Sequence, residues 1–236
     1  SKVAAEFPDT KFSIIDVSWL DAPNLRQYAF KEHEGSYIVG VAAAKASKTG
    51  KVGFVGGMDI GLIRRFACGY VGGVKSINAS AEVYQNMTGT TPAAWNDPAK
   101  GAELTQSQID RGADVVYHAA GGTGAGVIQA AADAGKLAIG VDSNQNGMAP
   151  GSVLTSMLKR VDVAAYETFM DVKNGNFSAG VHVLGLAEGG VDWALDENNA
   201  SLVTADMKAA IESARADIVS GKVKVHDYFS DESCPY

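Results

Sequence analysis

The chain has 236 residues, of which 46% are hydrophobic and 20% charged, and its formal net charge is -7. This composition is that of a globular protein with a substantial core. The acidic balance argues against nucleic-acid binding, which needs a basic face, and suits a neutral or weakly charged small ligand. No apolar run reaches the roughly 18 residues that a membrane span requires.

The beginning of the chain and its cysteines carry little information. The first residues lack the apolar stretch of a secretion signal, and they predict the end of a helix that stops at Pro8. The two cysteines, Cys68 and Cys234, share no motif. Two cysteines permit a disulfide without implying one, so the sequence leaves the pairing and the redox compartment open.

Before residue 49 the sequence predicts three elements. Residues 11–17 form a short apolar run ending in an acid, which is typical of a buried parallel strand, and residues 24–30 are a second strand candidate. Residues 34–47 predict a buried helix rich in Ala and Gly. These elements are too few for a complete lobe, so we assign residues 1–48 to the closing part of a first lobe.

From residue 51 onwards strands and helices alternate regularly. The predicted strands are residues 51–56, 81–88, 114–120, 136–141 and 153–158, and the predicted helices are residues 60–78, 98–112, 124–134 and 162–174. Alternation of this kind predicts βαβ units around a doubly wound parallel sheet, with helices on both faces. Residues 49–175 are therefore expected to form a complete second α/β lobe. Residues 176–236 add a return strand at 182–186 and a final helix at 204–221.

The loops that follow the predicted strands are the places to look for a binding site. In an open parallel sheet, ligands bind beyond the carboxyl ends of the strands. These loops are rich in polar, aromatic and glycine residues, and they comprise residues 56–59, 93–98, 121–124, 142–145 and 158–160.

Two residues of the second loop have both a structural and a functional interpretation. Asp97 before Pro98 fits a helix N-cap better than a ligand contact. Trp95 can pack as a hydrophobic staple beside that cap, or it can stack on a base or a sugar. The sequence does not choose between these two roles for Trp95.

The glycine-rich segment at residues 121–126 (GGTGAG) is similar to a phosphate cradle at a helix N-terminus. It lacks the Lys-Ser/Thr ending of a P-loop and the spacing of a dinucleotide-binding loop. The segment therefore favours a close approach of backbone to a ligand over nucleotide-phosphate binding.

Asp142 and Lys159 are the candidate charged residues of the site. Asp142 directly follows a buried strand, and a carboxylate there can accept two hydroxyl hydrogen bonds, as a ribose diol requires. Its structural alternative is a turn cap through Ser143 and Asn144. Lys159 ends an apolar run, where a solvent-exposed lysine is the default. If it faces the same crevice, it supplies the donor that complements Asp142.

The search for catalytic or metal-binding residues gives no candidate. The four histidines lack metal-ligand spacing, and neither a Gly-x-Ser-x-Gly elbow nor a nucleophilic cysteine context occurs. His118 ends a buried strand and can reach the crevice, although a single histidine is more often structural. We therefore expect no enzyme activity, no metal and no cofactor.

An ordered series of motifs resembles one family over essentially the whole chain. The motifs include residues 51–59 (KVGFVGGMD), 63–66 (IRRF), 97–101 (DPAKG), 140–143 (GVDS) and 154–161 (LTSMLKRV). They resemble the basic membrane protein family of binding lipoproteins, which includes purine nucleoside receptors that feed ABC importers.

This resemblance implies a type I periplasmic-binding-protein fold, in which two α/β lobes joined by a hinge clamp a ligand. By the same resemblance, Asp142 holds the ribose hydroxyls with Lys159 beside it, and Asp16 points into the cleft from the first lobe. The base would be contacted by Trp95 through stacking and by Gly121, Gly122 and Met58. The implied partners are a purine nucleoside and a transporter permease, at a periplasmic or extracytoplasmic location with membrane anchoring in relatives.

The chain departs from the family pattern at two points. Most relatives carry Phe where this chain has Trp95, which bears on ligand identity. Relatives also have about three further βα units, on the order of 30 residues each, before the matching region. We therefore expect an incomplete first lobe whose exposed apolar surface either promotes self-association or is covered by a removed segment that stays bound. The alternatives to an importer component are a ligand-sensing effector module of a regulator, a sugar or nucleobase receptor, and a sugar- or nucleotide-processing enzyme.

Overall fold

Two sheets organise the computed structural model, which describes residues 2–236. The smaller sheet has three parallel strands in the order β1-β2-β8. The larger sheet has six strands in the order β4-β3-β5-β6-β7-β9, all parallel except for the last pair. The strands are β1 (Phe12–Ile15), β2 (Leu25–Phe30), β3 (Lys51–Met58), β4 (Glu82–Gly89), β5 (Val115–Ala119), β6 (Leu137–Asp142), β7 (Val153–Lys159), β8 (Gly180–Leu184) and β9 (Val191–Trp193).

Seven α-helices connect or cover these strands within residues 2–236. They are α1 (Lys2–Glu6), α2 (Glu32–Ala46), α3 (Gly61–Ile77), α4 (Pro98–Asp110), α5 (Gly124–Asp133), α6 (Val161–Asn174) and α7 (Ala205–Val219). Short 3-10 helices lie at Pro92–Trp95, Gly121–Thr123, Asn146–Met148 and Tyr228–Ser230. None of the helices in this part of the chain is long and apolar enough to cross a membrane.

The centre of the larger sheet follows directly from its sequence. All five residues of β5 are buried, and β3 is buried at every position but its two ends. Strands covered on both faces are nearly continuous apolar runs, which is why these strands were predicted with boundaries close to those observed. β9 was not predicted, because a three-residue antiparallel strand has no periodicity to detect.

Helices α2 and α3 pack backbone against backbone through glycine. A Cβ atom at Gly73 would collide with the carbonyl oxygen of Tyr37, and one at Gly40 with that of Tyr70. Close packing of helices therefore requires residues without side chains at these points. α2 also contacts the larger sheet, since the Ser36 and Tyr117 hydroxyls lie 3.2 Å apart.

The packing of two helices differs from the division predicted at residues 1–48, 49–175 and 176–236. Helix α2, expected in the first lobe, packs on the larger sheet. Helix α6, expected in the second lobe, packs on the smaller one, where Arg26 on β2 pairs with Asp171 at 2.7 Å. The Tyr28 and Thr168 hydroxyls are 3.1 Å apart in the same contact. The chain therefore passes between the lobes near residues 30–32, 159–161 and 184–191.

The smaller sheet has one covered face and one open face. Tyr28 points towards α6 and lies beside His182 on β8, with the two ring centroids 5.7 Å apart. Because side chains alternate along a strand, Val181 and Val183 point the opposite way. Each of them is 46% exposed. An apolar sheet surface is thus open to solvent in the structure.

A disulfide joins Cys68 on α3 to Cys234 near the end of the chain. The two cysteines are 166 residues apart in sequence and their Cα atoms 5.6 Å apart. This pairing, which the sequence left open, fixes the C-terminal segment (residues 223–236) against α3.

Candidate functional site

The predicted site residues of the larger sheet follow one another along its carboxyl edge. Met58 ends β3, Gly121 and Gly122 follow β5, Asp142 ends β6 and Lys159 ends β7. Trp95 lies in the loop after β4, next to β3. Neighbouring strands are roughly 4.8 Å apart, so the row from β3 to β7 extends about 14 Å. Topology therefore places the aromatic residue at one end of this edge and the two charged residues at the other.

Trp95 is held in place by the loop that carries it. The carbonyl oxygen of the preceding Ala94 accepts hydrogen bonds from the hydroxyls of Thr88 at 3.0 Å and Thr123 at 2.8 Å. The half-buried indole packs against the backbone of Gly57, where a Cβ atom would collide with the ring. The loop thus lays an aromatic ring over the end of β3.

The carboxylate of Asp97 caps α4 by accepting a hydrogen bond from the Lys100 amide at 2.9 Å. The sequence-based interpretation of Asp97 as a cap is confirmed.

Gly121 and Gly122 bring exposed backbone close to this aromatic residue. Gly121 has a left-handed φ of 56°, which glycine adopts without strain. A Cβ atom at Gly122 would lie 3.2 Å from the backbone oxygen of Trp95. Met58, half-buried, ends the neighbouring strand. Side chains larger than hydrogen at the two glycines would narrow the space beside the indole.

Asp142 has an unusual backbone conformation. Its φ is 65°, and the Ser143 amide donates to the Val141 carbonyl at 2.8 Å, which closes a three-residue turn around it. A non-glycine residue in this region costs of order 1–3 kcal/mol, a strain that clusters at functional sites. Asp16, directly after β1, has a similar φ of 61°.

The Asp142 carboxylate is open to solvent at the wall of the cleft. Within residues 2–236 it accepts no hydrogen bond, whereas Asn144 caps the following turn by accepting from the Asn146 amide at 3.0 Å. Partial desolvation in the cleft raises the pKa of Asp142, and the Asp16 carboxylate adds to the rise while Lys159 opposes it. This arrangement leaves a carboxylate available to a ligand.

Lys159 is 8% exposed and lies between two carboxylates. Its ammonium is 2.6 Å from Asp16 Oδ1 and 3.0 Å from Glu32 Oε1. Burial alone would lower the pKa of Lys159, but Glu32 and Asp16 outweigh it and raise the pKa. The lysine therefore stays charged.

The structure gives Lys159 partners other than the one proposed from the sequence. Asp142 and Lys159 line one cavity of about 450 Å³, but in the described part of the chain they form no direct ion pair. Asp16, which follows β1 of the smaller sheet, pairs with Lys159 in place of Asp142. The charged end of the site thus combines residues of both sheets.

Glu32 was missed by the sequence analysis. It is the first residue of α2 and 1% exposed, and burial raises the pKa of its carboxyl while Lys159 and Arg65 oppose the rise. An acid in the first turn of a helix is sufficiently explained by the helix dipole, so nothing in the sequence marked it as part of the site.

His118 is fully buried and has a structural role. Its Nε2 lies 2.9 Å from Gln145 Oε1, which also accepts from the Val141 amide at 2.8 Å. Because that oxygen is an acceptor, the Nε2 carries the proton. Burial lowers the pKa of His118 to about 4, although the hydrogen bond to Gln145 opposes the shift. The imidazole is neutral and does not reach the cleft.

The two sheets, parallel except for β9, and the crossings between them define a type I periplasmic-binding-protein-like fold. A solved solute-binding protein of an ABC transporter system from Aeropyrum pernix K1 superposes with a TM-score of 0.83 at 29% identity. The match covers 94% of this chain and 72% of that one. The predicted fold class is confirmed.

The chain belongs to the Bmp family, described as PnrA-like ABC transporter substrate-binding proteins, whose model matches residues 1–228. It is 36% identical to the ABC transporter nucleoside-binding protein BmpA of Lactococcus lactis, over 95% of this chain and 67% of that protein. It is 31% identical to basic membrane protein A of Borreliella afzelii, over 94% and 69%. The chain spans about two thirds of the length of these curated relatives.

Membership of this family confirms the predicted resemblance. The family consists of transporter substrate-binding proteins and not of enzymes. Among residues 2–236, no group of three or more His, Cys, Asp or Glu side chains is arranged to hold a metal ion.

We predict that replacing His118 with Gln reduces the loss of stability on mild acidification. The unfolded chain binds a proton on this histidine below its ordinary pKa of 6.5, whereas the folded protein does so only near 4. Folding free energy is therefore lost as the pH falls through that window, by about 2 kcal/mol for this group between pH 6.5 and about pH 5.

Urea unfolding at about pH 7 and about pH 5 measures this difference. The matched control is His226→Gln, which removes a histidine from the surface pair with Asp231. An equal stability difference in His118→Gln and the wild-type protein would contradict the prediction.

Proposed function

We propose that this chain binds a purine nucleoside in the cleft between its two lobes and delivers it to an ABC importer. The observation that carries the proposal is the order of groups along the carboxyl edge of the larger sheet. An indole with exposed glycine backbone at one end suits a flat base. A carboxylate and an ammonium at the other end suit the hydroxyl groups of a ribose.

In this proposal each residue has a distinct role. Trp95 stacks on the base, Gly121 and Gly122 approach its edge, and Met58 lines the base pocket. Asp142 accepts hydrogen bonds from the ribose hydroxyls, while Lys159 donates to them. Asp16 holds the lysine and reaches the ligand from the first lobe.

Hinge closure would complete the site. Asp16 belongs to the smaller sheet and Asp142 to the larger one, so the two carboxylates can contact one ligand only when the lobes face each other. The three crossings near residues 30–32, 159–161 and 184–191 provide the connection about which such a closure would occur.

The proposed partner is a transporter permease at an extracytoplasmic location, with a membrane anchor as in lipoproteins. The family description and the name of the Borreliella relative, basic membrane protein A, support this placement. The Cys68–Cys234 disulfide supports it independently, because such bonds persist in oxidising compartments.

A receptor for a sugar or for a nucleobase is the alternative to a nucleoside receptor. Mass spectrometry of the ligand released from purified protein distinguishes the receptors. A free base or free sugar in place of a nucleoside would overturn the proposed ligand class.

We predict that Asp142→Ala weakens nucleoside binding by about 2–4 kcal/mol, since it removes two hydrogen bonds to a charged acceptor. This expected loss of binding free energy includes no penalty for an unpaired lysine, because Asp16 and Glu32 still pair with Lys159. Calorimetry with adenosine, inosine and guanosine measures the effect. The control Asp206→Asn alters an exposed acid paired with Lys45, and unchanged affinity in Asp142→Ala would show the assignment wrong.

We predict that Trp95→Ala lowers affinity for the same nucleosides by about 1–3 kcal/mol, the range for a base on an aromatic platform. Trp95→Phe retains a ring and should keep most of the affinity. Urea unfolding of both variants tests the alternative role of Trp95 as a packing residue. If stability falls in Trp95→Ala while affinity does not, the residue is a staple and not a binding platform.

We also propose that a second copy of this chain covers the open face of the smaller sheet. The exposed Val181 and Val183 lie on that face, and within residues 2–236 no strand pairs with the outer edge of β1 or β8. Apolar faces and unpaired strand edges of this kind promote association.

We predict that multi-angle light scattering finds a dimer or larger species of the purified chain. Val181→Lys together with Val183→Lys should shift it towards the monomer, because charge on an exposed strand opposes association. A wild-type protein that stays monomeric at all concentrations tested would overturn this proposal.

A further inference from the structure

Lys159 is one member of a longer series of alternating charges, which we call the ionic chain. The series continues from Lys159 to Glu32, whose other carboxylate oxygen is 2.9 Å from an Arg65 guanidinium nitrogen. Arg65 in turn forms two hydrogen bonds with the Asp227 carboxylate, at 2.8 and 2.7 Å. The ionic chain therefore runs in the order Asp16, Lys159, Glu32, Arg65 and Asp227.

The ionic chain is buried in the middle and open at its two ends. The side chains of Lys159, Glu32 and Arg65 are 6%, 1% and 8% exposed. Those of Asp16 and Asp227 are each 34% exposed. A buried charge is tolerated only while it is paired, so each inner member depends on both of its neighbours.

The members come from distant parts of the sequence and meet where the two sheets join. Glu32 begins α2 two residues after the end of β2 and Lys159 ends β7, so both lie at crossings between the lobes. Arg65 on α3 also donates to the carbonyl oxygen of Phe30, the last residue of β2. The ionic chain thus extends from Asp16 in the cleft, through the junction of the two sheets, to Asp227.

The far end of the ionic chain is held by the C-terminal segment. Asp227 belongs to it, and the Phe229 ring of the same segment lies over the Arg65 guanidinium at 4.9 Å. Cys68 follows Arg65 by three residues, so both face the same side of α3. The disulfide and the Arg65–Asp227 pair therefore attach the segment to one helix face at two points.

From this geometry we infer that Glu32, Arg65 and Asp227 are positioning residues for Lys159, so that the C-terminal segment helps to set ligand affinity. The inference rests on the proposed function, in which Lys159 donates to the ligand. Without Asp227, Glu32 is the one carboxylate among residues 2–236 that still pairs with Arg65, and Arg65 draws it away from Lys159. The ammonium then turns towards Asp16 and away from the ligand.

The protonation of Lys159 reports on this arrangement without any ligand. The charged groups that face the ammonium are Asp16 after β1, Glu32 on α2 and, across the cavity, Asp142 at the end of β6. Arg65 lies behind Glu32. Burial lowers the pKa of Lys159 while Glu32 and Asp16 raise it, so a weaker contact with Glu32 lets the pKa fall.

The experiment compares Asp227→Asn and Glu32→Gln with the wild-type protein. The matched control is Asp231→Asn, in the same C-terminal segment but at the surface beside His226. NMR titration of isotope-labelled lysine gives the pKa of Lys159 in the ligand-free protein, and calorimetry with inosine gives affinity. We expect a lower pKa and an affinity reduced by about 2- to 30-fold in both variants, with neither changed in the control.

Each other outcome has a defined meaning. A pKa of Lys159 in Asp227→Asn equal to that of the control overturns the inference, and so does a lowered pKa with unchanged affinity. If Glu32→Gln does not fold, Asp227→Asn alone decides. Its side chain is 34% exposed, so this substitution does not bury an unpaired group in the core. If the wild-type protein binds no nucleoside, the proposed function fails, and the ligand-free pKa still shows whether the ionic chain positions Lys159.

Discussion

The candidate site depends on the ion pairs of one buried ammonium group, that of Lys159, at the junction of the two sheets. An isolated charge would be expelled from such a position, or it would lose its proton. Lys159 remains because a carboxylate from each side of the junction pairs with it. The same two ion pairs connect the residue that follows β1 with the end of β7 and the start of α2. Electrostatic pairing therefore determines the local geometry of the cleft as well as its charge.

Most of the fold could be predicted because its elements have strong local signals. The buried strands β3, β5, β6 and β7 are short apolar runs, and α4 has both a capping acid and a proline at its start. The carboxyl-edge position of Trp95, Gly121 and Asp142 then follows from the parallel topology. Family resemblance supplied the roles proposed for these residues, which the periodicity of the sequence does not contain.

What could not be predicted depends on contacts between distant residues. Asp16 and Lys159 are 143 residues apart, and Arg65 and Asp227 are 162 apart, so no local pattern pairs them. The alternation of strands and helices likewise does not reveal which sheet a helix covers. Glycines at the contact of α2 and α3 decide the position of α2, whereas Arg26 and Tyr28 decide that of α6. In each case, tertiary contacts determine which of several arrangements forms, and the local sequence permits all of them equally.

The three crossings between the lobes are joined to one another by backbone hydrogen bonds. The Lys31 amide donates to the Leu184 carbonyl at 2.9 Å, and the Arg160 amide donates to that of Gly190 at 2.8 Å. Any rotation of one lobe against the other about this line moves each atom in proportion to its distance from the line. Lys159 and Glu32 lie beside it and would scarcely be displaced, whereas the Trp95 ring, over the end of β3 and three strands from β7, would be displaced more. In the proposed hinge closure, the charged end of the cleft would therefore lie close to the axis of rotation, and the aromatic end would move with its lobe.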